Sequence, residues 1–144
     1  MRPRAVKAFL DTNIFVYTFD RSAPSKRKKA REIVAQALER HDAVISWQVV
    51  QEFLNVATRK FTHPMNSEDG RLYLQQVLMP LCEVFPSEPA YGQALSIARE
   101  AGFSFYDSLI VSSAILSGAL LLFSEDLPHG QKVRGIEIRN PFRS

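Results

Sequence analysis

Hydrophobic positions along this chain follow two rhythms. Short apolar runs end abruptly in polar residues, and between them lie longer stretches with apolar side chains three and four apart. The first rhythm marks buried strands and the second amphipathic helices. Val6, Ala8, Phe9 and Leu10 mark a first strand over residues 6–10. Further strands are predicted over 43–46, 82–85 and 120–123, with 136–138 as a last, short edge strand. Helices are predicted over 14–19, 24–40, 48–60, 67–79, 87–100 and 106–117. Thr12 or Asn13 can cap the first of them, Ser46 the third and Ser104 the last. Pro64 and Pro80 read as breaks, and Gly118 as a C-terminal stop. Ile33, Val34, Ala37 and Leu38 are expected to face inward on one helix, and Ala94, Leu95, Ile97 and Ala98 on another. Residues 127–135 read as the one irregular loop.

Strands alternating with helices imply right-handed crossovers and a parallel sheet. The expected class is α/β: a three-layer α/β/α sandwich with a central, mostly parallel sheet of four to five strands, forming a single domain over 1–144. In such sheets ligands bind beyond the carboxyl ends of the strands. The hydrophobic pattern therefore gives weight to the polar residues at the end of each strand.

The first strand runs into Asp11-Thr12-Asn13, and the fourth into Ser124-Glu125-Asp126. Glu52 lies one to two turns into the helix after the second strand, along its apolar stripe rather than opposite it. Asp107 is in the first turn of the helix that feeds the fourth strand. If these helices start on the same edge, four carboxylates converge. Such charges repel, and a hard divalent cation relieves the repulsion. Mg²⁺ or Mn²⁺ takes oxygen ligands and keeps waters, so a few carboxylates suffice. Each acid also has a structural alternative. Ser104-Phe-Tyr-Asp107 fits a capping box, Asp11 and Asp126 fit turns or caps, Glu52 fits a helix border, and Glu125 could stand in for Asp126.

Charge adds a second element. With 18 Lys and Arg against 15 Asp and Glu the net charge is +3. Four acids withdrawn into one site would leave eighteen basic residues facing eleven acids. The basic residues cluster at Lys26, Arg27, Lys28, Lys29 and Arg31, at the start of a helix, where positive charge opposes the helix dipole. Arg2, Arg4 and Lys7 form another group. An acidic pocket on a basic body suits a polyanion cut with the help of a metal.

Other chemistries are poorly served. His41, His63 and His129 fall in expected loops without metal-ligand spacing, although His129 could approach the site from its loop. There is no nucleophile elbow and no glycine-rich phosphate loop. Cys82 stands alone within an apolar strand, which excludes an internal disulfide. Phe103, Phe105 and Tyr106 could stack on bases, but aromatics at a helix start usually serve the core. No apolar run approaches the roughly 20 residues that span a bilayer. No signal peptide is evident, and the expected location is the cytoplasm.

Four pieces in order, Phe9-Leu-Asp11-Thr-Asn-Ile-Phe-Val-Tyr, Ser46-Trp-Gln-Val-Val-Gln-Glu52-Phe, Ser104-Phe-Tyr-Asp107-Ser-Leu-Ile-Val and Leu122-Phe-Ser-Glu-Asp126-Leu-Pro-His-Gly, resemble the PIN-domain nucleases. The likeness is greatest to the VapC-type toxins of bacterial toxin–antitoxin pairs. It implies Mg²⁺- or Mn²⁺-dependent cleavage of RNA. Asp11, Glu52 and Asp107 would match the family's three main acids and Asp126 its fourth, with Thr12, Asn13 and Ser124 as supporting residues. It further implies an antitoxin that inserts a C-terminal segment into the acidic groove, and a homodimer. Two other functions fit the same residues: an RNA-processing nuclease of this type without an antitoxin, and a non-catalytic RNA-binding domain. A phosphoaspartyl enzyme is disfavoured, since Asn13 stands where its second acid is needed.

Overall fold

The structure, a computed structural model, describes residues 7–143. Val6, Arg2 and Arg4 lie outside the described residues, and the first strand begins at Ala8. Six strands form one sheet in the order β3-β2-β1-β4-β6-β5. They are β1 (Ala8–Leu10), β2 (Ala43–Ser46), β3 (Cys82–Val84), β4 (Leu121–Phe123), β5 (Lys132–Val133) and β6 (Ile136–Arg139). All neighbours are parallel except β5 and β6.

The expected mostly parallel α/β sheet is present, with six strands rather than four to five. The surplus is β5, inside the segment expected to be a loop; with β6, the strand expected at 136–138, it forms a hairpin. Its two-residue turn has Arg134 at φ 48° and Gly135 at φ 86°. Positive φ at both positions is what a twist-matched hairpin turn requires. Arginine is not a residue that announces such a turn, so β5 carries no clear signal. In consequence β5 is the edge strand, and β6 lies between β4 and β5.

The helices are α1 (Thr12–Tyr17), α2 (Pro24–Arg40), α3 (Trp47–Arg59), α4 (Ser67–Tyr73), α5 (Met79–Leu81), α6 (Glu88–Ala101) and α7 (Phe105–Leu116). A π-helical turn, Leu74–Leu78, joins α4 to α5, so the helical path continues through Pro80 instead of stopping there. The π turn contains Gln76, whose carbonyl an unbroken α-helix would press against the Pro80 ring. Its wider coil removes that conflict. On α6 the inward stripe is Ala90, Ala94 and Ile97, whereas Leu95 is 63% exposed. Leu95 sits one position, about 100° of rotation, beyond Ala94.

From β1 the chain crosses to β2 and then β3 in one direction, and from β4 it proceeds to β6 in the other. Right-handed connections then place α1 to α5 on one face and α6 and α7 on the other. The crevice of such a sheet lies at the carboxyl ends of the two strands where the direction reverses, here β1 and β4. Beneath it Phe9, Leu10 and Leu122 are fully buried, and Phe15 and Phe53 pack edge to face at 6.4 Å. Among the described residues no helix is long and apolar enough to cross a membrane.

Candidate active site

Asp11 is the first residue beyond β1, at the crevice. Its backbone is extended (φ −74°, ψ 164°), and it caps α1: Oδ1 accepts from the Thr12 N–H at 2.7 Å. The sequence pattern points to Thr12 or Asn13 for this role. Helix α1 instead begins two residues earlier than that pattern predicts, so the last extended residue is the aspartate. The second oxygen, Oδ2, accepts from the Ser124 hydroxyl at 2.7 Å. Ser124 is fully buried at the end of β4, and its Oγ accepts from the N–H groups of Asp126 (3.2 Å) and Leu127 (3.3 Å). One serine thus orients Asp11 and folds the loop that carries Asp126.

Glu52 reaches the same edge from the second turn of α3. Thr12 Oγ donates to its Oε2 at 2.6 Å and Gln48 Nε2 to its Oε1 at 2.8 Å. Gln48 Nε2 also donates to the Tyr106 carbonyl at 3.2 Å. This amide therefore ties α3 to the start of α7, where Asp107 stands. The Asp107 N–H donates to Ser104 Oγ at 3.1 Å, which is one half of a capping box. The other half, from the Ser104 N–H to the Asp107 carboxylate, is not formed, and that carboxylate is free for other work. Asn13 differs from Thr12: its Oδ1 is buried with no hydrogen-bond partner.

Electrostatics connect these acids. Burial pushes the Asp11 carboxyl up from 3.8 to about 6. Hydrogen bonds from Ser124 and Thr12 oppose the rise, and the Glu52 and Asp126 charges add to it. The Asp126 carboxyl is also raised, by burial and then by Glu125, Asp107 and Glu52. Among the described residues none of Asp11, Glu52, Asp107 and Asp126 pairs with a Lys or Arg. Glu125 is engaged differently. It accepts from the Tyr17 hydroxyl and pairs with Lys26 at 2.7 Å. Burial lifts its carboxyl, but these two partners outweigh that and hold it below its ordinary value.

The basic run is not uniform either. Lys26 is spent on Glu125, and Arg31 Nε donates to the Thr18 carbonyl at 2.9 Å, while Lys28 and Lys29 are exposed. His129 turns to its own loop, where Nδ1 accepts from the Asn140 N–H at 3.0 Å.

In kind these oxygens fit a hard divalent cation: Asp11 feels the charges of Glu52 and Asp126, Asp126 feels those of Asp107 and Glu52, and only neutral donors compensate the buried Asp11 carboxylate. The acids do not form a closed cage. Among the described residues no three acidic, histidine or cysteine side chains are gathered so as to hold one ion between them.

The family model of the PIN domain matches residues 8–129. This chain belongs to the PIN-domain family. Solved structures share its fold at low identity. A toxin–antitoxin complex from Klebsiella pneumoniae matches with TM-score 0.66 and 20% identity, over 94% of this chain and 98% of that one. FitAcB from Neisseria gonorrhoeae matches with TM-score 0.63 and 19% identity, over 95% and 99%. VapC20 of Mycobacterium tuberculosis, a sarcin-ricin loop-cleaving toxin, matches with TM-score 0.59 and 16% identity, over 83% and 92%. Comparison with curated protein sequences yields no match.

Gln48 is the site residue of this PIN domain that its sequence did not single out. The available signal was its place four residues before Glu52 on one helical ridge. Buried Asp11 also gives the metal-free PIN domain a pH dependence. Its folded-state pKa of about 6 lies above its ordinary 3.8, so the native state holds the proton more tightly. The ionised form is destabilising, and stability is lost as pH rises from about 4 through 6. The loss is about 3 kcal/mol. Urea unfolding in EDTA should show Asp11→Asn gaining on wild type across this range. A stability difference that does not change with pH would contradict it.

Proposed function

We propose that this PIN domain is a divalent-metal-dependent endoribonuclease and the toxin of a toxin–antitoxin pair. Asp11, Glu52, Asp107 and Asp126 are its catalytic, metal-binding carboxylates. Thr12, Asn13 and Ser124 support them, and the ion is Mg²⁺ or Mn²⁺. The observation that carries this reading is the buried Asp11 carboxylate at the β1–β4 switch, near Glu52 and Asp126 and without a cationic partner. Similarity to a toxin–antitoxin complex over nearly the full length of both chains supports the toxin assignment and a cognate antitoxin; cytoplasmic action and a homodimer belong to the same proposal.

The protein's own contribution is orientation. Ser124 and the Thr12 N–H fix both oxygens of Asp11, and Thr12 Oγ and Gln48 fix both oxygens of Glu52. When bound, a divalent cation supplies positive charge at the phosphoryl oxygens and acidifies water. Hydrolysis joins a water oxygen to phosphorus as the bond to the leaving ribose oxygen breaks; carboxylates at this edge accept the water's proton, and the leaving oxygen takes a proton from solvent. No side chain has to act as the nucleophile.

Co-expression tests the toxin assignment. Growth arrest by this chain should be relieved by the product of a neighbouring upstream reading frame. Asp126→Asn should weaken the arrest strongly, whereas Glu125→Gln should leave most of it. Arrest lost equally in both variants would overturn the choice of Asp126. The absence of any arrest or RNA cleavage would overturn the toxin reading.

A further inference from the structure

A second concavity opens at the same carboxyl edge, one strand further along. It is about 310 Å³ and lies between the ends of β2 and β3 and the start of α7. Its wall is largely aromatic: Trp47, Phe85, Tyr91, Phe105 and Tyr106, with the exposed amide of Gln51 at the rim. Tyr106 is 68% exposed, Phe85 50% and Tyr91 43%, so these rings present faces to solvent instead of filling the core. Trp47 lies 5.8 Å from Phe85 at a 32° tilt, and Phe105 stands nearly perpendicular to Tyr91 at 5.9 Å. Two polar atoms in the wall, Ser46 Oγ and Gln48 Oε1, are buried without hydrogen-bond partners. Both atoms are closed off from the cleft as it stands, so its polar edge is the exposed Gln51 amide at the rim.

The cleft is joined to the acids by shared residues. Gln48 lines it and also holds Glu52. Tyr106 lines it and is the immediate neighbour of Asp107. A chain whose phosphodiester lay among the acids would bring an adjoining base to this cleft. We infer that it is a nucleobase pocket, which stacks one unpaired base of single-stranded RNA beside the scissile phosphate and so sets base preference at the cut. Aromatic faces with amide groups are how proteins read splayed-out bases. The volume lies at the low end for ligand sites, the scale of a single base. This inference rests on the ribonuclease reading for its substrate, but its binding step can be measured apart from cleavage.

Trp47 is the chain's only tryptophan, so its fluorescence reports directly on this cleft. Short single-stranded RNA, added in EDTA, should quench it. Phe85→Ala and Tyr106→Ala should each weaken that binding about tenfold or more, the scale of one lost stack. In cleavage assays the same variants should raise KM by a similar factor, flatten base preference at one position next to the cut and leave kcat nearly unchanged. An abasic nucleotide at that position should cost wild type about as much and Phe85→Ala little further. RNA affinity and base preference unaltered in both variants would overturn the pocket. So would a loss of self-association or antitoxin binding in their place, which would make the cleft a protein contact. If wild type quenches with RNA but cleaves none, the ribonuclease reading falls and the pocket stands.

Discussion

Asp11→Asn is expected to lower divalent-dependent RNA cleavage by about a thousandfold or more while the fold persists. Removing a carboxylate that binds the ion forfeits several kcal/mol of transition-state stabilisation, and about 4 kcal/mol is a thousandfold. The fold persists because asparagine keeps the size of the side chain and can still accept one of the two hydrogen bonds from Thr12 and Ser124. In EDTA at neutral pH the variant should be more stable than wild type. It no longer buries a charge that burial, Glu52 and Asp126 all oppose. Circular dichroism, thermal melting and cleavage of a labelled RNA check the three parts together. Full cleavage by the variant, or a lower melting temperature in EDTA, would contradict this account.

Phe53→Ala should destabilise the protein by about 3–5 kcal/mol. Phe53 is fully buried, stacked on Tyr73 at 4.8 Å and edge to face with Phe15 and Phe61. It is also the residue after Glu52 on α3, and Phe15 lies on α1, which Asp11 caps. A cavity here loosens the two helices that carry the acids. Chemical denaturation measures the first effect. The second appears as reduced activity at temperatures well below the melting point. A loss under about 1 kcal/mol would show that this aromatic cluster does not hold α1 to α3.

The class of fold was legible because its signals are local. Phe9-Leu10 and Leu121-Leu122 are short buried strands, and each ends in polar residues that can only face an edge. What escaped depended on backbone features with weak residue preferences. The β5–β6 turn rests on Arg134 in a conformation usually given to asparagine or glycine. Pro80 is passed by a π turn that no pattern marks. Asp11 and Asp126 could be put forward as candidates because carboxylates directly after buried strands are uncommon. The partners of the acids could not be read in the same way. Whether Glu125 or Asp126 faces the crevice depends on Tyr17 and Lys26, which are 108 and 99 positions away in the chain. Likewise the exposure of Tyr106, against the core role usual for such a residue, comes from how α6 and α7 pack.

On the proposed function, the carboxylates at the β1–β4 switch hold a divalent cation. Titration of the metal-free protein with Mn²⁺, followed by electron paramagnetic resonance, counts the bound ion directly. Wild type and Glu125→Gln should bind Mn²⁺ with similar affinity, and Asp11→Asn should lose at least one site. Equal binding by wild type and Asp11→Asn, or none by wild type, would contradict the account.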